Sequence, residues 1–429
     1  MSDSPPQPPD GATADTSALV LCGARLADGR TVDVRIGAGR IEAVGTAGSL
    51  PPGTGAARLD LGGYLLLPAP AEPHAHSDTA LSADLAASGP VPYTSEDVQR
   101  RATEATLLQL GHGATALRSH VRIGDAQELG RLAAVLQARR SLRGLADLTA
   151  VAVPRLLTGL AGADGLAMLR DAVKMGAGVV GGCPDLDPDP AGYVEAVLEI
   201  AAEHGCPVDL HTQGTEPARI ARLAALAGGV QAGVTLGPCA GLAALPAEVA
   251  ARAADQLAAA GVTVVCLPQG GCGGVERPGR EPAGGARGVG GVAAVQLLRA
   301  AGVRLAAGGG ALRDVSNPVG RGDPLEAAYL LASQGGVRAA DAYGAVSRVA
   351  RAAMGLPEVR VEAGFPAELL AVRGERIEGA LSLAYSRIVI HRGRVVARTS
   401  AVREYCDSAA AALPELPELP RQGRSGAGP

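Results

Sequence analysis

Leu65-Leu66-Leu67-Pro68-Ala69-Pro70-Ala71-Glu72-Pro73-His74-Ala75-His76 is the stretch whose reading decides the fold. An apolar run with the length of a buried strand stops at prolines, and two histidines follow, one residue apart. In an extended strand residues i and i+2 share a face, so both imidazoles point into one cavity. Two neutral imidazoles aimed at one point suit a single divalent transition metal ion, zinc or iron. A hydrogen-bonded histidine pair at a strand end is the alternative. The chain holds only seven histidines, which makes the pairing informative.

Outward from this stretch the pattern alternates strand and helix. Apolar runs recur at Ala114–Arg118, Leu148–Val153, Gly178–Val180, Val208–Leu210, Val234–Leu236, Val262–Val265 and Val303–Leu305. Amphipathic stretches lie between them, at Tyr193–Glu203, Ala218–Ala227, Glu248–Ala260 and Ala293–Ala301, and Gly205, Gly261 and Gly302 stand where helix ends favour glycine. With the histidine strand this makes eight, the count of a (β/α)8 TIM barrel, and the pair falls at the end of a strand where barrel sites form. A doubly wound open sheet is the competing architecture. No phosphate-cradling glycine motif is present.

The barrel is assigned to residues 64–356. Short strands cut by turns before it, and similar strands after it, predict a small β-sandwich domain built from residues 17–63 and 357–400. Residues 1–16 and 408–429 read as disordered tails. Gly270–Gly291, rich in glycine and following the seventh strand, reads equally as a lid over the barrel mouth or as a surface insertion.

Composition narrows the class. A formal net charge of −4 gives no electrostatic reason for nucleic acid or an anionic membrane as partner. Seven scattered cysteines without a C-x-x-C pair indicate neither a disulfide framework nor a thiolate zinc site. No apolar run approaches a membrane span and no secretory signature opens the chain, so a cytoplasmic protein is expected. With no Trp and Phe365 as the one Phe, a pocket that grips flat rings by stacking has few residues to draw on.

The split β domain around a barrel and the Glu72-Pro73-His74-Ala75-His76 motif resemble the amidohydrolase superfamily, in particular its cytosine deaminase-like branch. Arg118-Ser119-His120-Val121, Val153-Pro154, Asp209-Leu210-His211, Arg287-Gly288-Val289 and Arg313-Asp314 with Asn317-Pro318-Val319-Gly320 are similar to that branch's segments. The resemblance implies one divalent metal ion held by His74, His76 and His211, a metal-activated water, and attack on a non-peptide C–N bond of a small molecule, as in a deaminase or a cyclic amide or amidine hydrolase. It also implies that His120, Gln213 and Arg155 face the substrate. Arg155 stands where the branch has an amide-reading glutamine, and would suit an anionic group or serve as a salt-bridged rim residue.

Several positions depart from the branch. Gly214 takes the place of the proton-shuttling glutamate, Pro238 that of a histidine, Gly310 that of the metal-binding aspartate, and Ser316 that of a ring-covering aromatic. Asp314 and Asp78 are candidate replacements for the lost acid and base. Glu216 reads as a helix-start residue, and Lys174 lies on the helix side, away from any bridging role. Two functions follow: a metal-dependent hydrolase of small molecules, or a catalytically impaired relative that binds a small ligand or a protein partner. A homo-oligomer is compatible with either.

Overall fold

The computed structural model describes residues 18–51, 56–124, 129–230, 232–270, 290–383 and 385–401. Both expected tails, Arg287-Gly288-Val289 and nearly all of the Gly270–Gly291 segment lie outside the described residues.

Strands β1 (Leu19–Arg25), β2 (Thr31–Gly37), β3 (Arg40–Thr46), β4 (Ala57–Asp60) and β5 (Tyr64–Pro68) open the fold. Eight parallel strands follow: β6 (Ala71–Ala75), β7 (Ala116–Ile123), β8 (Asp147–Pro154), β9 (Val179–Gly182), β10 (Val208–Thr212), β11 (Val234–Pro238), β12 (Thr263–Cys266) and β13 (Arg304–Ala307). They pair in chain order into a nearly closed barrel, so the open sheet is excluded. β14 (Leu369–Arg373), β15 (Arg387–His391) and β16 (Arg394–Thr399) return to the first strands, giving a second, mostly antiparallel sheet ordered β16-β15-β14-β5-β1-β2-β3 with β4 beside β1. One apolar core draws Ile36 and Ile41 from one end of this sheet and Ile388 and Ile390 from the other, so the sheet curls over its own apolar face.

The leucine run and the histidines, a single strand and its end in the sequence reading, are two strands in two sheets. Leu65–Leu67 belong to β5, antiparallel to β14, and the barrel begins at Ala71. Pro68 and Pro70 have no N–H to donate, so the ladder breaks between the two strands. The uninterrupted apolar run has a physical cause as well. Leu65 and Leu67 join the barrel's core while Leu66 joins that of the antiparallel sheet, so β5 is buried on both faces.

Helices lie between the barrel strands much as the periodicity indicates. Pro190–His204, Pro217–Ala227 and Ala247–Ala259 are each one helix, whereas the last amphipathic stretch is divided into Gly290–Ala293 and Val295–Ala300. Gly205, Gly261 and Gly302 all adopt positive φ (64°, 67° and 78°) just past helix ends, a conformation glycine enters without a Cβ penalty. Among the described residues no helix is long and apolar enough to cross a membrane.

The ring closes in an unusual way. Between β13 and β6 the ladder is reduced to one bridge, Ala75 with Gly310, and one hydrogen bond from Gly310 N to His74 O at 3.0 Å. The rest of the seam is a side chain. Glu72 Oε1 accepts from His74 N at 2.9 Å and Oε2 from Gly309 N at 2.7 Å. A Cβ at Gly308 would lie 2.4 Å from Glu72 Oε1, so this glycine is required by the carboxylate it faces.

Candidate metal centre

Strand alternation fills the barrel interior in layers. Glu72 and His74 on β6, Arg118 and His120 on β7, and Asp209 and His211 on β10 are each two residues apart, and all six are buried. The deeper layer is ionic. Arg118 Nη1 donates to Asp209 Oδ2 at 2.9 Å and to Thr235 Oγ1 at 3.1 Å, and Nη2 donates to Ala353 O at 2.9 Å. Burial alone would raise the Asp209 pKa, but His120 and Arg118 outweigh it and hold the carboxyl below the ordinary range.

Above this layer four of the chain's histidines converge. Ring centroids lie 5.3 Å apart for His74 and His76, 3.9 Å for His74 and His120, 5.1 Å for His74 and His211, and 5.5 Å for His76 and His120. His74, His76 and His120 each offer a nitrogen within 4.8 Å of the others. His211 is placed differently: its Nδ1 faces His74 Nε2 at 3.2 Å, and its ring is 6.3 Å from that of His76.

His74 Nδ1, His76 Nε2 and both ring nitrogens of His120 are buried without a hydrogen-bond partner among the described residues. Orphaned buried polar atoms are costly, about 1–3 kcal/mol each, unless a ligand satisfies them. Burial, and then the proximity of His120 and His211, pushes the pKa of both His74 and His76 well below the ordinary value. These rings are therefore neutral near pH 7, with lone pairs free to coordinate. An all-nitrogen donor set of this kind fits a divalent zinc-like ion.

Besides Asp209, three buried carboxyls stand on β6 or on the loops that follow β6 and β13. Burial raises Glu72 to about 7 against the two backbone hydrogen bonds that favour its charge. Asp78 follows His76 by two residues. It is fully buried, burial raises its pKa, and its Oδ2 lies 3.6 Å from Arg131 Nη1 outside hydrogen-bond geometry. Asp314 is occupied with its own loop, accepting from Ser316 N at 2.7 Å and Asn317 N at 3.1 Å on Oδ1 and from Thr79 Oγ1 at 2.8 Å on Oδ2.

The remaining candidates spread outward. Gln213 is half-buried, its N–H donating to Asp185 Oδ2 at 3.1 Å, and Arg155 is exposed just after β8. Glu216 is exposed at the start of the helix Pro217–Ala227, and Lys174 is exposed beside Asp171, 3.4 Å away. Gly214 and Gly310 have φ of +72° and +68°, backbone that an aspartate or glutamate would enter only under strain. Spacing alone does not single out Glu72 and Asp209. Their one available signal is that each stands two residues before a site histidine, on the same strand face.

Comparison with known proteins bears on the family and the fold. Residues 110–397 match the amidohydrolase family. A pterin deaminase of Rhizobium rhizogenes (strain K84 / ATCC BAA-868) is 28% identical over 319 residues, covering 72% of this chain and 71% of its own length. The crystal structure of a 5-methylcytosine deaminase from Klebsiella pneumoniae liganded with 5-fluorocytosine superposes with a TM-score of 0.77 at 22% identity, over 91% of this chain and 100% of that one. The N-isopropylammelide isopropylaminohydrolase of Burkholderia multivorans ATCC 17616 gives a TM-score of 0.75 at 24% identity, over 90% and 100%.

Proposed function

This chain belongs to the amidohydrolase family, and from that premise we propose that it hydrolyses an exocyclic or ring C–N bond of a small nitrogen heterocycle, such as an aminated pyrimidine, pterin or triazine. The family generally uses a divalent metal ion. The observation that carries the reading is the convergence of buried, neutral imidazoles with unpartnered nitrogens at the C-terminal end of a parallel barrel, where such folds place their chemistry. A bound divalent ion supplies a water acidic enough to deliver hydroxide near neutral pH.

The chain's own residues do the rest. His74 and His76 present lone pairs because burial keeps them unprotonated. Asp78, buried two residues after His76 and biased by burial toward its protonated form, is the carboxyl that would hold a proton for the leaving nitrogen. Asp314, whose oxygens already cap backbone N–H groups and Thr79, keeps the loop after β13 in place. Arg155 at the exposed rim suits an anionic substituent on the substrate.

The test is metal content of the purified protein followed by ammonia or amine release from a panel of aminated pyrimidines, pterins and triazines. Turnover is expected, abolished by chelation and restored by zinc. Asp78→Asn is expected to lower kcat by about two to four powers of ten with metal content unchanged. A metal-loaded protein silent across the panel would point to ligand binding in place of hydrolysis.

A further inference from the structure

We propose that a groove between the helix Ser95–Gly111 and the loops after β6 and β13 receives a second copy of this chain, across a two-fold axis that sets Glu104 of each copy against the partner's Arg313. The groove encloses about 550 Å³ and is lined by Leu81, Glu104, Leu107, Leu108 and Arg313. It shares no residue with the histidine cluster, so the proposal stands whether or not that cluster holds an ion.

The helix explains why a face is left over. Val98, Ala102, Ala105 and Leu110 are buried, whereas Arg100, Glu104, Leu107 and Leu108 share the outer face at helical spacing. Leu107 and Leu108 are 42% and 43% exposed. A lone exposed leucine is ordinary, but two side by side on the wall of a groove make a continuous apolar patch, the mark of a contact surface. The other wall is made by the loops. Leu81 N donates to Leu312 O and Ala83 N to Arg313 O, both at 2.9 Å, and Leu81 and Arg313 have φ of 58° and 46°. Side chains of that size enter left-handed backbone at a cost, and such strain gathers where proteins bind. Charge decides the occupant. Each wall carries one exposed ion pair, Arg100 with Glu104 at 3.2 Å and Arg313 with Asp84 at 2.8 Å. The patch is neutral as a whole, so neither a strongly acidic nor a strongly basic partner gains from it. A second copy does. An isologous contact lays one surface against itself, so the acid of one wall meets the arginine of the partner's other wall, twice. The same operation sets Leu107 and Leu108 of each chain into the partner's groove and covers both apolar patches at once.

The experiment measures the mass of the full chain by sedimentation velocity. The wild type is expected to run as a dimer, or as a larger assembly with an even number of copies. Glu104→Arg and Arg313→Glu should each break this contact and halve the mass of a dimer, since each sets like charges opposite one another. An equimolar mixture of the two variants should recover the wild-type mass, because the mixed pair restores opposite charges at both contacts. A docking site for some other protein would not give that recovery. Leu107→Ala combined with Leu108→Ala should also release monomer. Should a charge variant misfold by circular dichroism, this one, which removes only exposed side-chain atoms, decides in its place. A wild type that stays monomeric at every concentration overturns the proposal and leaves the groove to a partner of different sequence. An assembly whose mass is unchanged in the variants, or a mixture that remains monomeric, overturns it as well.

Discussion

Glu72 is the residue on which most depends. Both its oxygens accept backbone N–H groups, so Glu72→Gln turns an amide NH2 toward one of those donors, and about 1–3 kcal/mol of stability should be lost in guanidinium unfolding. The effect carries a sign in pH. Burial raises this carboxyl from 4.5 to about 7, so the folded chain holds the proton more tightly than the unfolded chain. That contribution, about 3 kcal/mol for such a shift, is complete below about pH 4.5 and lost as pH rises through about 7. The gap between wild type and Glu72→Gln should narrow across that interval, and a gap that widens would contradict the assignment. Gly308→Ala, which drives a Cβ to 2.4 Å from Glu72 Oε1, should lower stability with the same seam at fault. The histidine pair is legible in the sequence because period-two alternation is a local property. The grouping of His120 with it is not, because which residues share a barrel layer depends on the stagger between strands that lie far apart in the chain.

At the scale of elements, the order of strands and helices follows from apolar periodicity and glycine punctuation, and the barrel strands appear close to where the apolar runs sit. The exception is the leucine run, which periodicity reads as a buried strand without saying in which sheet. Only tertiary pairing resolves that, since β5 is covered on both faces. The two faces make a clean test. Leu66 points into the antiparallel sheet, away from the barrel, and Leu66→Ala should cost about 2–5 kcal/mol while leaving zinc stoichiometry unchanged. Loss of zinc in a folded Leu66→Ala protein would mean that the two sheets are coupled more tightly than their separate cores indicate.

Across the whole molecule the barrel and the antiparallel sheet are joined by one buried ion pair, and a second buried contact lies within the sheet itself. Arg387 on β15 grips Asp323 through two hydrogen bonds, at 2.8 and 2.7 Å, and His391 meets Glu368 at 2.8 Å. Burial alone would raise both carboxyl pKa values, but Arg387 and His391 respectively outweigh it and leave Asp323 and Glu368 below the ordinary range. Groups of that kind stabilise the fold above their unfolded values of 3.8 and 4.5 and lose the contribution as pH falls through their lower native values. Acid unfolding should therefore set in below about pH 4.5, with the β14–β16 amides exchanging hydrogen early, and Arg387→Ala should destabilise by about 3–5 kcal/mol because it strands a buried aspartate. A ring laddered all round but stapled by one carboxylate at β6 and β13 behaves like a split washer. Its cheapest breathing motion parts the staple, beside His74 of the proposed metal site, so the rate at which zinc escapes should track the opening of the Gly309 and Gly310 amides more closely than any movement at the mouth.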